Sequence, residues 1–335
     1  MVEAGSLLGD GDVDGDGDGD GDVRRPVAAV PVRWEHREYR GGVRARVPAS
    51  TANLGPGFDT LGLALDRYVV VDVEPASKLI VRSIGEGEGL ADDSSHLAAR
   101  VAIDVAGTDR LAISVRSDIP ISRGLGSSAA LALAAAAAAG ASDPLAVATA
   151  MDGHPDNAAA SMVGGFVAAA VVKGGVQVVR LPLDVSLAFV VIVPDVHLST
   201  ARARQALPPE VSRESAAFNL SRMALMMAGM ADSRLLIPEA AEDRLHQDYR
   251  SPLFPAAPML LASLVAGGAL ASCWSGAGPS LLGICRGVDA PKVQTAGQQA
   301  LADAGLPGQV LLLRADMDGL ILDKDGSGGL YDDER

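Results

Sequence analysis

Between Leu111 and Gly140 the chain passes from an alternating apolar run (Leu111 to Val115) through Ile119-Pro-Ile-Ser-Arg-Gly-Leu-Gly-Ser-Ser-Ala-Ala130 into a stretch made almost wholly of alanine. Alternation predicts a strand, and alanine, the best helix former, predicts a helix over Ala129 to Ala139. A strand, a glycine-bearing loop and a helix start, in that order, leave unpaired N–H groups at the positive end of a helix dipole, a ready anion site. Ser127 and Ser128 can cap the helix or ligate Mg²⁺ beside a phosphate. The loop lacks the lysine of a Walker loop and the third glycine of a dinucleotide turn. Alone, it reads equally as a phosphate cradle and as a capped helix behind a flexible loop.

The 335 residues suggest about two domains, and with 48% apolar but only 3% aromatic residues, alanine, valine and leucine must build the core. The net charge of −14 argues against nucleic-acid binding. Glu3 and seven Asp between Asp10 and Asp22, against Arg24 and Arg25, account for −6 of it and leave −8 for the remainder. No run reads as a membrane span or a signal peptide, and Cys273 and Cys285 make neither a disulfide framework nor a metal cluster. A reducing cytoplasmic setting fits these features.

Residues 1–42 read as a disordered acidic Gly/Asp tail, since a repeat of like charges buries nothing. A calcium loop there would need flanking helices and a Glu at its twelfth position, and neither is present. Residues 323–335 read as a polar tail, with ordered domains over 43–183 and 184–322. Strands are expected at Val43 to Val47, Tyr68 to Val73, Phe166 to Val172, Val176 to Leu181, Leu187 to Val193, Ala269 to Trp274, Leu281 to Cys285 and, last, Val310 to Arg314. Pro48 to Gly57 reads as a loop. Helices are expected at Ser95 to Ala106 (capped by Ser94 or Ser95), Pro144 to Met151, Asn157 to Val163, 210–230, 233–246, Leu260 to Gly267 and Ala290 to Ala304. The alternation points to an α+β protein of two layers.

Two further strings, Val47-Pro-Ala-Ser-Thr-Ala-Asn-Leu-Gly-Pro-Gly-Phe-Asp59 and Ser275-Gly-Ala-Gly-Pro-Ser280, stand on either side of the glycine loop. With three motifs in this order, the chain resembles the GHMP kinases from about Val43 to Leu322. Within them it is most similar to the homoserine kinases, through Ala49 to Asp59, Asp152-Gly-His-Pro-Asp-Asn-Ala158, Leu198-Ser-Thr-Ala-Arg-Ala-Arg-Gln-Ala-Leu-Pro208 and His246-Gln-Asp-Tyr-Arg-Ser-Pro-Leu-Phe-Pro255. The resemblance implies an N-terminal ribosomal-protein-like α/β domain with a left-handed βαβ ATP site and a C-terminal ferredoxin-like domain. It also implies phosphoryl transfer from ATP with Mg²⁺ to the side-chain hydroxyl of L-homoserine, and a homodimer of the kind common in the family. Another small alcohol as substrate, or a homoserine- and ATP-binding sensor without turnover, remain as alternatives.

Carried onto this sequence, the resemblance makes Pro120, Ile121, Ser122, Arg123, Gly124, Leu125, Gly126, Ser127, Ser128, Ala129 and Ala130 the nucleotide loop. Gly276, Ala277 and Gly278 lie beside the phosphates, with Ala277 where Ser or Gly is also common. Asn53, Asp59, His154, Asn157, Thr200, Arg204 and Arg250 become the substrate residues. Asp59 suits an ammonium group, and two guanidinium groups suit an α-carboxylate. Arg202 lies two residues from Arg204, and the family spacing from Thr200 selects Arg204. Ser128 and Asp152 become the Mg²⁺ ligands and, with Arg204, the catalytic set. Asp152 stands where the family usually has Glu, and His96 where it commonly has Asn. No general base is evident, and Asp156 is left without a role.

Overall fold

The computed structural model describes residues 42–323; the Gly/Asp repeat and the run after Asp323 lie outside them. Among the described residues, eleven strands form two sheets. In the first, β1 (Val43–Ala52) and β2 (Leu61–Pro75) pair antiparallel along almost their whole length. The far half of β2 pairs with β4 (Leu111–Ser117), which carries the parallel strand β3 (Ile80–Gly85) at its edge. The near end of β2 pairs with β5 (Phe166–Val172), followed by β6 (Gly175–Leu181). The second sheet has the order β10 (Gly308–Leu313), β7 (Leu187–Pro194), β9 (Leu281–Arg286), β8 (Ala271–Trp274), all antiparallel.

The helices are α1 (Leu97–Ala106), α2 (Ser127–Ala138), α3 (Pro144–Asp152), α4 (Asp156–Val163), α5 (Thr200–Gln205), α6 (Arg213–Ala231), α7 (Gln247–Arg250), α8 (Ala257–Ala266) and α9 (Ala290–Asp303). The alanines of α2 have a structural cause. From Ala132 to Ala138 every side chain is at most 4% exposed, because α1, α3, α4, β1 and β2 all pack around the helix. A helix covered on every side needs small side chains so that backbones can approach closely, and extra methylenes there overpack the core. In the second sheet β7 is buried along its whole length, the expected fate of an unbroken apolar strand, and α8 and α9 pack on that sheet. No helix among the described residues is long and apolar enough to cross a membrane.

Several local expectations are corrected. Pro48 does not end β1; the strand continues to Ala52 across a register shift at Pro48/Ala49, where a bulge absorbs the missing N–H. The edge strand β3, which was not expected, pairs parallel with β4. Helix α1 is capped by His96 and not by a serine: its Nδ1 accepts from the Ala98 N–H at 3.1 Å, while Ser95 turns to Asp93. The residues 233–246 form only two short 3-10 turns, Ser233–Leu235 and Pro238–Ala241, because Pro238 starts a new turn and Asp232 closes on Arg234. The last strand is β11 (Ile321–Asp323), which returns to pair with β1.

Candidate functional site

Three loops meet at the end of β1. The first leaves β1 through left-handed residues Asn53, Leu54 and Gly55 and reaches Asp59, also left-handed. Asn is among the few side chains that tolerate that conformation. Asn53 Nδ2 donates to the Gly276 carbonyl at 2.9 Å, and its Oδ1 accepts from the Asp59 N–H at 3.0 Å. The second loop reaches α2 through Gly124 and Gly126, both at positive φ. Gly126 is the N-cap and offers no side-chain acceptor, so the first N–H groups of α2 are left for a ligand. The third loop turns at Gly276 and Gly278. Ser275, fully buried, stitches all three: its Oγ contacts Thr51 Oγ1 at 2.9 Å and the Gly124 carbonyl at 2.6 Å.

The loops border a cavity of about 410 Å³, within the range of small-ligand pockets. Its lining falls into three chemical groups. Leu90, Ala91, Leu97, Ile121 and Leu131 are apolar; Ser122 to Gly124, Gly126 to Ala129, Gly276 and Ala277 are loop and helix-start residues; the rest are charged or polar. Asn53, Asp59, Asp152, His154, Asn157, Thr200, Arg204 and Arg250 all line this one cavity, with Asp156 among them. Pro120, Leu125, Ala130 and Gly278 do not: all four are buried behind the wall. Arg202 is exposed and outside it, whereas Arg204 faces in. Arg123 extends to His197 Nδ1 at 2.9 Å and ties the glycine loop to the segment before α5.

The charged group is a connected cluster. Arg204 grips Asp59 bidentately, at 2.9 and 2.7 Å. Phe58 lies under both arginines, 5.4 Å from the guanidinium of Arg204 and 5.6 Å from that of Arg250. His154 Nδ1 meets Asp156 Oδ1 at 2.7 Å, and the same oxygen accepts from the Asn157 N–H at 2.8 Å. Burial works against charge on the His154 ring, but the hydrogen bond and charge of Asp156 outweigh it and raise its pKa above the ordinary value. His154 Nε2 and Asp156 Oδ2 are buried without a partner. Asp59, His154 and Asp156 lie close enough together to hold a cation, yet Asp59 is spent on Arg204 and His154 on Asp156.

Arg250 stands apart. Its side chain is 2% exposed, and among the described residues it has no ion pair. One NH₂ group (Nη1) donates to the Gly276 carbonyl at 2.9 Å and to His246 Nδ1 at 3.0 Å, while its Nε has no partner. Burial first, then the charge of Arg204, pull its pKa down to about 10. A buried cation with an idle donor, in a residue that lines the cavity, suits an anion. Asp152, last residue of α3, is half-buried, and burial pushes its carboxyl pKa up. It has neither a hydrogen bond nor an ion pair among the described residues.

Asp156 lines the cavity, and His246 and Ser275 hold residues that line it, Arg250 and Gly124, although the motif strings assigned none of the three a role. The spacing of His246 four residues before Arg250, one helical turn, is the signal for the histidine. Burial, against the pull of Asp243, lowers the His246 pKa to about 4, so the unfolded chain takes up this proton more readily between that value and the ordinary 6.5. Stability is therefore complete above about pH 6.5 and is lost as pH falls, by about 2 kcal/mol at about pH 5. Asp243, held below its ordinary value, adds a loss in the same direction at lower pH. Chemical denaturation at several pH values reads this slope, and His246→Asn should flatten it; an unchanged slope in that variant contradicts the assignment.

The family model for the GHMP kinases N terminal domain matches residues 95–165, and that for the GHMP kinases C terminal region matches 216–303. A homoserine kinase of Moorella thermoacetica is 40% identical over 278 residues, covering 78% of this chain and 93% of the relative. A homoserine kinase of Leifsonia xyli subsp. xyli is 38% identical over 299 residues, covering 83% and 90%. The crystal structure of a homoserine kinase from Cytophaga hutchinsonii superposes with a TM-score of 0.74 at 25% identity, over 86% of this chain and 99% of that one. A phosphomevalonate kinase of Streptococcus pneumoniae, at TM-score 0.59 and 13% identity, shares the fold. The chain belongs to the GHMP kinase family and, within it, stands with the homoserine kinases.

Proposed function

We infer that this chain is an ATP-dependent homoserine kinase, transferring the γ-phosphoryl group of ATP to the side-chain hydroxyl of L-homoserine to give O-phospho-L-homoserine. The observation that carries the substrate reading is Arg250, a buried cation with no ion pair among the described residues, beside the Asp59–Arg204 pair. A zwitterion answers this set: its carboxylate takes Arg250 and Arg204, and its ammonium takes Asp59. In the free site Asp59 and Arg204 neutralise each other, so the substrate enters by exchanging one bidentate bridge for two ion pairs. A hydroxyl, donor and acceptor at once, satisfies both His154 Nε2 and Asp156 Oδ2.

In-line transfer forms the bond from the hydroxyl oxygen to the γ-phosphorus as the bond to the β-phosphate oxygen breaks, ADP leaving and the hydroxyl proton passing to an oxygen of the transferred phosphoryl group and on to water. Such a loose transition state asks mainly for positioning and charge stabilisation. The uncapped N–H groups of α2 and the glycine loop supply donors to the phosphates. Ser128 and Asp152 offer a hydroxyl and an otherwise unpartnered, half-buried carboxylate, hard oxygen donors that fit Mg²⁺. Held by these two residues, Mg²⁺ would supply charge neutralisation for the phosphates. Asp152→Asn is expected to raise the Mg²⁺ concentration for half-maximal activity about 10–100-fold, with the homoserine KM little changed. An unaltered Mg²⁺ dependence removes Asp152 from the metal site.

The test of the function is ADP release with MgATP and L-homoserine, set beside three analogues that each lack one group: 4-hydroxybutyrate, 3-aminopropan-1-ol and L-2-aminobutyrate. Homoserine should turn over best, the first two poorly, and the third should only inhibit. No release with homoserine sinks the reading, and turnover of mevalonate or galactose in its place selects another alcohol.

A further inference from the structure

His246 is fully buried, titratable and without a role in the reaction described above. Its Nε2 lies 2.7 Å from the Gly55 carbonyl, which can only accept, so the proton sits on Nε2. Nδ1 is then a lone-pair acceptor, and it receives the Arg250 N–H at 3.0 Å. The ring also stacks on Phe58, with centroids 5.3 Å apart at 25°. One side chain thus fixes the loop that carries Asp59 and the guanidinium of Arg250 in a single register.

The choice of a neutral acceptor has a consequence. A carboxylate in this place would hold Arg250 as firmly but would cancel its charge, as Asp59 does for Arg204. A buried acid close by, Asp243, 3.7 Å from His246 Nε2, is kept from doing so. Its Oδ1 accepts from Asn219 Nδ2 and the Leu245 N–H at 2.7 and 2.9 Å, and its Oδ2 from the N–H groups of His246 and Gln247 at 2.8 and 2.7 Å. Those bonds anchor the start of α7. Asn219, through the same amide nitrogen, also reaches the Pro56 carbonyl at 3.2 Å.

We propose that His246 is a positioning residue for recognition of the substrate carboxylate, orienting Arg250 through a neutral acceptor so that its full charge remains for the ligand. The inference rests on the homoserine reading. Its low pKa is consistent with a ring that stays neutral at working pH.

Three variants separate this role from a structural one. His246→Asn keeps a neutral oxygen at the Nδ1 position. His246→Gln keeps a donor toward Gly55 but loses the acceptor for Arg250. His246→Asp places a charged acceptor beside Arg250. The homoserine KM should stay within about threefold of wild type in His246→Asn and rise about 30-fold in the other two, with kcat nearly unchanged, the signature of lost uniform binding. ATP affinity, measured by calorimetry on each full-length variant, should hold within about twofold and reports folding. For 3-aminopropan-1-ol, which has no carboxylate, the KM should not move in any variant. Equal KM shifts in all three variants, or parallel losses for homoserine and 3-aminopropan-1-ol, overturn the proposal. If His246→Asp does not fold, the Asn and Gln comparison decides alone. A wild-type enzyme that does not discriminate homoserine from 3-aminopropan-1-ol overturns the homoserine reading itself, and the proposal with it.

Discussion

Arg250→Met is expected to raise the homoserine KM by about 10²–10³-fold while leaving ATP affinity within about twofold and stability nearly unchanged. Truncating one partner of a buried, charge-assisted pair costs about 2–5 kcal/mol of binding, which spans that range of KM. The effect on the fold is small for a specific reason. Arg250 is 2% exposed and has no ion pair among the described residues, and its desolvation outweighs the more distant pull of Asp59, Asp243 and Asp156, so burying it already weighs against the folded state. Methionine fills a similar volume without that cost. Of the two groups Arg250 serves, the Gly276 carbonyl keeps the Asn53 amide, and only His246 Nδ1 loses its donor, at about 1 kcal/mol. Steady-state kinetics and a thermal melt test both halves. A melting temperature lower by more than about 5 °C, on the order of 1–2 kcal/mol, would make Arg250 a structural clamp and not a residue held ready for an anion.

Arg204→Met should do less harm to binding and more to the free site, because Arg204 is partly exposed and already paired. The difference shows what could be read before the fold was known. Both arginines stand in recognisable strings, and both line the cavity. Nothing in those strings says that one is neutralised by Asp59 while the other is left charged. That distinction depends on contacts between residues far apart in sequence, such as Asn53 with Gly276, 223 positions away, and Ser275 with Thr51, 224 away. Local features were read well where the cause is local: the glycine loop, the alanine helix, the hairpin of β5 and β6. Misreadings arose where tertiary context overrides a local signal. Pro48 marked a loop by composition, but β2 pairs across it with a bulge. Helices α5 and α7 are too short to show a period, although they carry Arg204 and Arg250. The site was therefore legible as a set of residues and not as a set of charges.

Gly124→Ala is expected to lower ATP affinity about 100-fold and to destabilise the protein by about 2–4 kcal/mol, although it adds one methyl group. Gly124 has φ +79, a left-handed conformation that costs an alanine about 1 kcal/mol. The larger part is steric. A Cβ there would run into the Ser275 carbonyl oxygen and approach the backbone of Gly278 to 3.0 Å. Backbone atoms cannot rotate away as a flexible side chain can, so the glycine loop must separate from the third loop. That movement breaks the Ser275 hydroxyl bond to the Gly124 carbonyl and the Ser280 N–H bond to the Arg123 carbonyl, at 2.6 and 3.2 Å. The same movement displaces the N–H groups that would hold the phosphates, and a shift of about 1 Å in a positioning element costs about 10²-fold. Gly174→Ala isolates the backbone term. Gly174 has φ +106 in the β5–β6 turn with nothing within 4 Å of its would-be Cβ, so that variant should lose only the backbone cost, about 1–3 kcal/mol, and retain full kinase activity. Nucleotide titration and melts of the two variants give the comparison. Equal losses of stability with unchanged ATP affinity in both would mean that contact between the second and third loops does not set the phosphate site.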